Sequence, residues 1–184
     1  SSFRGLAALA ALWILFGFGT AIELPKGWYP AGSHWKSYEM GLEEKSGRQK
    51  GAAATIRSME DSIPGYGSLM QDFLPGKFLG ERLRLKGWMK SKDVKEWAGF
   101  WVQVNASNDE KPLSFDNMSD RMVKGTTDWA PYEIVVDVPR ESQTILMGAI
   151  LNGTGQIWFD DLTLEVVDRE TVATTGKGNA HFMP

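Results

Sequence analysis

Cysteine is absent from the 184 residues, which excludes disulfides, thiolate metal sites, a cysteine nucleophile and a lipidated-cysteine anchor. Histidine is confined to His34 and His181, and no HExxH, GxSxG or phosphate-loop pattern occurs. With no basic block in a chain of net charge −3, the electrostatic footprint of nucleic-acid binding is missing as well. Beyond residue 24 there is no amphipathic stretch of helical period, no tandem repeat and no low-complexity tract. What the chain does hold is 20 glycines and eight tryptophans, a composition leaning towards β-structure with many turns. Its length suits one domain with a full core and a terminal appendage.

Between Arg4 and Glu23 lies GLAALAALWILFGFGTAI, 18 residues without a charge. As a helix it would span about 27 Å, enough to cross the hydrocarbon core of a bilayer. The competing reading is a signal peptide, with Arg4 as its basic end and Gly19, Thr20 and Ala21 as its cleavage site. The length of the run favours a retained anchor over residues 1–24, embedded through residues 5–22. Ala7, Ala10, Ala11, Gly17 and Ala21 form a small-residue face suited to close helix packing. Arg4 before the run and Glu23 after it place the N-terminus in the cytoplasm and the main domain outside it, in the periplasm of a bacterial inner membrane. Trp28 and Tyr29 fall where an interfacial aromatic belt is expected, in a Pro- and Gly-marked linker over 25–32.

From Ser33 onward the period is two. ERLRLKGWMK sets Leu83, Leu85, Gly87 and Met89 against Arg82, Arg84, Lys86, Trp88 and Lys90; GFWVQVN sets Phe100, Val102 and Val104 against Trp101, Gln103 and Asn105. YEIVVDVP and QTILMGAILNG alternate in the same way, and further strands are expected near 35–43, 51–58, 67–73, 113–118 and 156–167. About nine strands predict a mainly β chain, an antiparallel β-sandwich over 33–168, followed by an extended tail over 169–184.

In QIWFDDLTLEVV, Ile157 and Phe159 have the opposite parity to Leu162, Leu164 and Val166, so all five can face inward only if one residue is inserted near Asp160 and Asp161. That is the signature of a β-bulge.

The succession GSLMQDF, FLGERLRLKGWMK, WAGFWVQV, LSFDNM, GTTDWAPYEIVVDVP and ILMGAILNGTGQIWFDDLTLEVV resembles jelly-roll domains of the galactose-binding and carbohydrate-binding-module type. The resemblance implies a sandwich that stacks sugar on aromatics of one sheet face or rim. Trp88 and Trp101, with Arg84, Gln103 and Asn105, are the residues expected to do so, or to meet a protein partner. It also allows a structural calcium at Asp160 or Asp161 with Glu39, Glu43 or Glu44, although no DxDxDG loop is present. No other cofactor is expected, and neither histidine is expected to ligate a pigment.

Adjacent carboxylates on a strand point to opposite faces, so Asp160 and Asp161 are not a glycosidase pair, and no catalysis through Asp116 or Asp161 is expected. In outline, an anchor plus an extracytoplasmic sandwich is also similar to accessory subunits of bacterial photosynthetic reaction-centre light-harvesting complexes. The sequence therefore leads to a noncatalytic, membrane-anchored scaffold subunit of a larger membrane complex, with a membrane-tethered glycan-binding module as the alternative.

Overall fold

The computed structural model describes residues 22–107 and 111–175. Nine strands are found among them: β1 Tyr29–Ala31, β2 Tyr38–Glu43, β3 Ala53–Ser58, β4 Tyr66–Phe73, β5 Arg82–Asn105, β6 Ser114–Asp116, β7 Val123–Asp137, β8 Thr144–Asn152 and β9 Gln156–Val167. All the pairings are antiparallel. Long β5 belongs to two layers. Its first half lies between β9 and β7 in the order β2-β3-β9-β5-β7, and its second half lies between β8 and β6 in the order β1-β4-β8-β5-β6. Leu83, Leu85, Ile56, Ile134 and Ile157 of the first layer and Leu69, Phe100, Val102, Ile145 and Leu151 of the second are all fully buried in one core between them. Burying such side chains contributes roughly 1.5–3 kcal/mol each, which is why alternation along the strands dictates the two-layer architecture.

The strand count agrees with the sequence reading, but its composition differs. The stretches around Arg82 and Phe100, expected as separate strands, are one continuous strand, and the extra strand is β1. Along β5 the inward residues are odd-numbered up to Ser91 and even-numbered from Val94 onward. One residue is therefore inserted between them: the register against β7 shifts between Ser91 and Val94, and Asp93 takes a φ of 53°. The bulge bends the strand from one layer to the other.

The expected bulge in β9 is present. Lys86 pairs with Thr163 and Trp88 with Asp160, so two steps on β5 meet three on β9, and Asp161 takes a φ of 52°. Leu162 and Leu164 are thereby returned to the core, whereas Val166, expected inward with them, is 43% exposed near the end of the strand. Aspartate tolerates the left-handed region better than most residues, whereas a β-branched side chain is strained there. Asp161→Val is therefore expected to cost about 1–3 kcal/mol, while Asp161→Gly should stay within about 1 kcal/mol of the parent. Urea unfolding of the two variants reads the difference; equal losses would exclude backbone strain as the cause.

The segment expected as a linker over 25–32 is built into the sandwich instead. β1 pairs with β4, and Trp28 packs on Phe159 at 5.9 Å between ring centroids, so its ring caps the core. The Tyr29 hydroxyl donates to Asp72 Oδ1 at 2.6 Å; partial desolvation, the hydrogen bond and the adjacent carboxylate push its pKa up to about 12. Neither residue needs a lipid interface to account for its place.

Each edge of the first layer is met at one point by a flanking segment of chain. Leu42 N–H donates to Glu23 O at 2.7 Å on the β2 side, and Thr174 N–H donates to Val135 O at 2.8 Å on the β7 side. The start of the expected tail is thus docked. Of the expected anchor only residues 22–24 are described, and they are not helical. Ala7, Ala10, Ala11, Gly17 and Ala21 lie outside the described residues, as does His181. Among the described residues no helix is long and apolar enough to cross a membrane.

Candidate ligand-binding surfaces

Trp88 and Trp101, expected side by side, lie on the outer faces of different layers with the core between them. The reason is the course of β5: both of its halves turn their inner face to the same core, so their outer faces point away from each other. Arg84 and Trp88 share the first face; Trp101, Gln103 and Asn105 share the second.

On the second face Trp101 is only 3% exposed, in an apolar cluster with Tyr66, Met70, Trp97 and Ile150. Its Nε1–H donates to Ser68 Oγ at 2.9 Å, and Ser68 in turn donates to Ala149 O at 2.9 Å. Gln103 Nε2 donates to Asn105 Oδ1 at 3.1 Å, while Gln103 Oε1 has no hydrogen-bond partner among the described residues. Trp101 is an outer-face residue, as alternation requires, but its ring is a packing element here and presents no open stacking surface.

The first face is more open. Antiparallel register sets its rows: Glu39, Arg57, Gln156 and Lys92 in one, Gly41, Thr55, Trp158 and Lys90 in the next, and Asp160 opposite Trp88 in the third. Trp88, Trp129 and Trp158 are all partly exposed. The Lys90 ammonium lies 4.7 Å from the Trp158 ring centroid and 5.2 Å from that of Trp129, so it is held between two indoles. The Arg48 guanidinium lies 4.1 Å from the Trp88 centroid. Cation–π contacts of this kind contribute about 0.5–1 kcal/mol each at exposed sites.

Asp160 and Asp161 hold Arg48 in that position. Asp160 Oδ2 accepts the Arg48 backbone N–H at 3.0 Å, its Oδ1 accepts the Asp161 N–H at 2.8 Å, and Asp161 Oδ2 accepts Arg48 Nε–H at 2.9 Å. Of the glutamates considered with them, Glu39 pairs with Arg57 and Glu43 accepts the Trp158 indole N–H. Among the described residues no three His, Asp or Glu side chains are grouped to hold a metal. Asp116 is fully buried, bound by Arg121 Nη2 at 2.7 Å and by the Met118 N–H at 2.9 Å, so its contacts are those of a structural residue.

A groove of about 460 Å³ continues the first face at its end, lined by Arg57, Lys92, Lys95 and Gln156 together with Glu60, Asp61 and Asp93. The sequence reading missed Trp129, Trp158, Lys90 and Arg48. For Trp158 the signal was available: once Ile157 and Phe159 face inward, the residue between them faces outward. Arg48 gave none, because it reaches Trp88 only through the tertiary fold.

Fold and surface together define an antiparallel β-sandwich of the jelly-roll kind with a tryptophan-bearing outer face. No protein-family model matches the chain. Over 150 residues it is 40% identical to the uncharacterized HTH-type transcriptional regulator YbfP of Bacillus subtilis (strain 168), covering 81% of this chain and 50% of that protein. The chain thus spans half the length of this curated relative.

Among solved structures it is similar to the CBM22-1 xylan-binding domain of Paenibacillus barcinonensis Xyn10C, with a TM-score of 0.57 and 11% identity, covering 80% of this chain and 90% of that one. It is similar to the CBM22-1–GH10 modules of Clostridium thermocellum xylanase Xyn10B, complexed with xylohexaose, with a TM-score of 0.56 and 15% identity over 76% of this chain and 26% of that one. A Stig cyclase, Fisc from Fischerella sp. TAU, has a TM-score of 0.54 and 14% identity over 79% of this chain and 87% of that one. At such identities the likeness is one of fold: a carbohydrate-binding-module-like jelly roll. The scaffold role expected from accessory subunits of photosynthetic complexes finds no support in these likenesses.

Proposed function

We propose that the chain is a noncatalytic glycan-binding module. The observation that carries this reading is the outer face of the first layer, where partly exposed Trp158 stands in register with Lys90, partly exposed Trp129 lies against the same lysine, and Gln156 follows one row on. Indoles stack on the C–H face of a pyranose while neighbouring amide and ammonium groups bond its hydroxyls. The likeness to xylan-binding domains supports the same reading. Trp88 and Arg84 flank this platform. Trp101, Gln103 and Asn105 are left to a packing role on the far layer.

Calorimetric titration against xylan, galactan and uronate-containing polysaccharides tests it. Saturable binding is expected, weakened about tenfold by Trp158→Ala and by Trp129→Ala, with no reducing ends released on long incubation. No saturable binding to any glycan, or binding indifferent to both substitutions, would sink this reading.

The identity with half of an HTH-type transcriptional regulator favours a second reading, in which the sandwich is the ligand-sensing part of a regulator and the sugar is its signal. The two differ in place. The uncharged run over 5–22 supports a module tethered to a bacterial membrane with its sandwich outside the cytoplasm, whereas a regulator acts on DNA inside it. Fractionation of the native protein between membrane and cytosol decides between them.

A further inference from the structure

We infer that the glycan this sandwich takes is an acidic one, whose negative charges are met by Lys86, Lys90 and Lys92 along the outer face of β5. The inference rests on the glycan-binding reading above and names its ligand class. The three lysines alternate along the central strand of the face, so their Cα atoms follow one another at roughly 7 Å.

Their neighbours of both signs are already engaged. Arg48 pairs with Asp161, Arg57 with Glu39, and Arg84 with Glu165 and, at 3.8 Å, with Glu133, which stands opposite Lys86 in register. Asp160 is occupied by the amides of Arg48 and Asp161, and Glu43 by the Trp158 indole. Among the described residues none of the three lysines has an ion-pair partner. Hydrogen bonds from neutral N–H groups leave the charges of Asp160 and Glu43 in place, so the face as a whole is near balance; the three lysines are its cations that no carboxylate pairs, gathered in one stripe along β5.

Lys90 adds position to charge. Held between the rings of Trp129 and Trp158, its ammonium stands at the stacking platform itself. A charged sugar ring can then stack on an indole and pair with the adjacent ammonium at once. A neutral sugar would gain only the first of these.

The experiment is calorimetric titration of the full chain with polygalacturonate and alginate, each beside its methyl-esterified form, with dextran sulfate beside dextran, with neutral xylan, and with a single-stranded oligonucleotide. The expected result is that a charged polymer binds at least about tenfold tighter than its uncharged counterpart, that added salt weakens it, and that Lys86→Ala/Lys92→Ala weakens it about tenfold. The two acid classes separate a carboxylate from a sulfate ligand. Both lysines are exposed, so the variant keeps its fold, which its unfolding midpoint checks.

Equal affinity for esterified and free acid, binding of neutral glycans alone, or charged-polymer binding unchanged in the lysine variant would overturn this inference and leave the glycan reading standing. Tighter binding of the oligonucleotide than of every glycan would overturn it in favour of a nucleic-acid surface. Absence of binding to all the glycans would remove both.

Discussion

Trp101→Ala is expected to destabilise the protein by about 3–5 kcal/mol, the range for truncating a large buried aromatic to alanine. Its ring is 3% exposed and packs with Tyr66, Met70, Trp97 and Ile150, strands β4, β5 and β8 all contributing. Trp101→Phe should cost much less: it keeps most of the apolar contact and gives up the donation from Nε1–H to Ser68 Oγ, about 1 kcal/mol for one hydrogen bond. Urea denaturation of both variants measures the gap. If glycan affinity fell sharply in Trp101→Phe while stability held, the ring would be a ligand contact and its packing role secondary.

Arg121→Ala is expected to cost about 3 kcal/mol, the lower end of what is lost when one partner of a buried ion pair is removed, because Arg121 itself is about 29% exposed. The loss falls on Asp116, whose side chain is fully buried and would keep only the Met118 N–H, while the Glu133 carbonyl would lose the guanidinium that bonds it at 3.0 Å. Adding Asp116→Asn in the Arg121→Ala background should recover part of the loss by removing the unpaired charge. A double-mutant cycle on unfolding free energies checks this. Additive losses would show that the two residues act independently and that the short β6 strand is held by its backbone pairing with β5 alone.

Parity along the strands made much of this fold legible. The alternation around Leu83, Phe100, Ile134 and Ile145 places each of them in the core, and the parity change at Asp160 and Asp161 locates the β9 bulge to the residue. The same rule, applied between Met89 and Phe100, would have revealed the bulge at Asp93. The charged run SKDVKE instead leaves two strands expected where there is one, because a strand crossing between layers loses its clean alternation just where it bends. β1 was hidden by prolines and glycines that usually mark a linker, although a three-residue edge strand tolerates a proline.

The candidate site was legible only in its parts. Local sequence marks Trp88 and Trp101 as outer-face residues of their strands, and it marks Asp160 and Asp161 as needing partners. It does not reveal that one strand serves two layers, which sends the two tryptophans to opposite sides of the molecule. Nor does it reveal that Arg48, 112 positions from Asp160, supplies the partner.

From its own pattern the chain determined a two-layer β-sandwich, the inward residues of its strands and a bulge in the closing one, because alternation and the cost of burying charge act on near neighbours. Tertiary structure alone decided which tryptophans share a face, that Lys90 lies between two indoles, and that the Asp160–Asp161 pair clamps an arginine. Those depend on register between strands distant in sequence, which is set by the packing of the whole core.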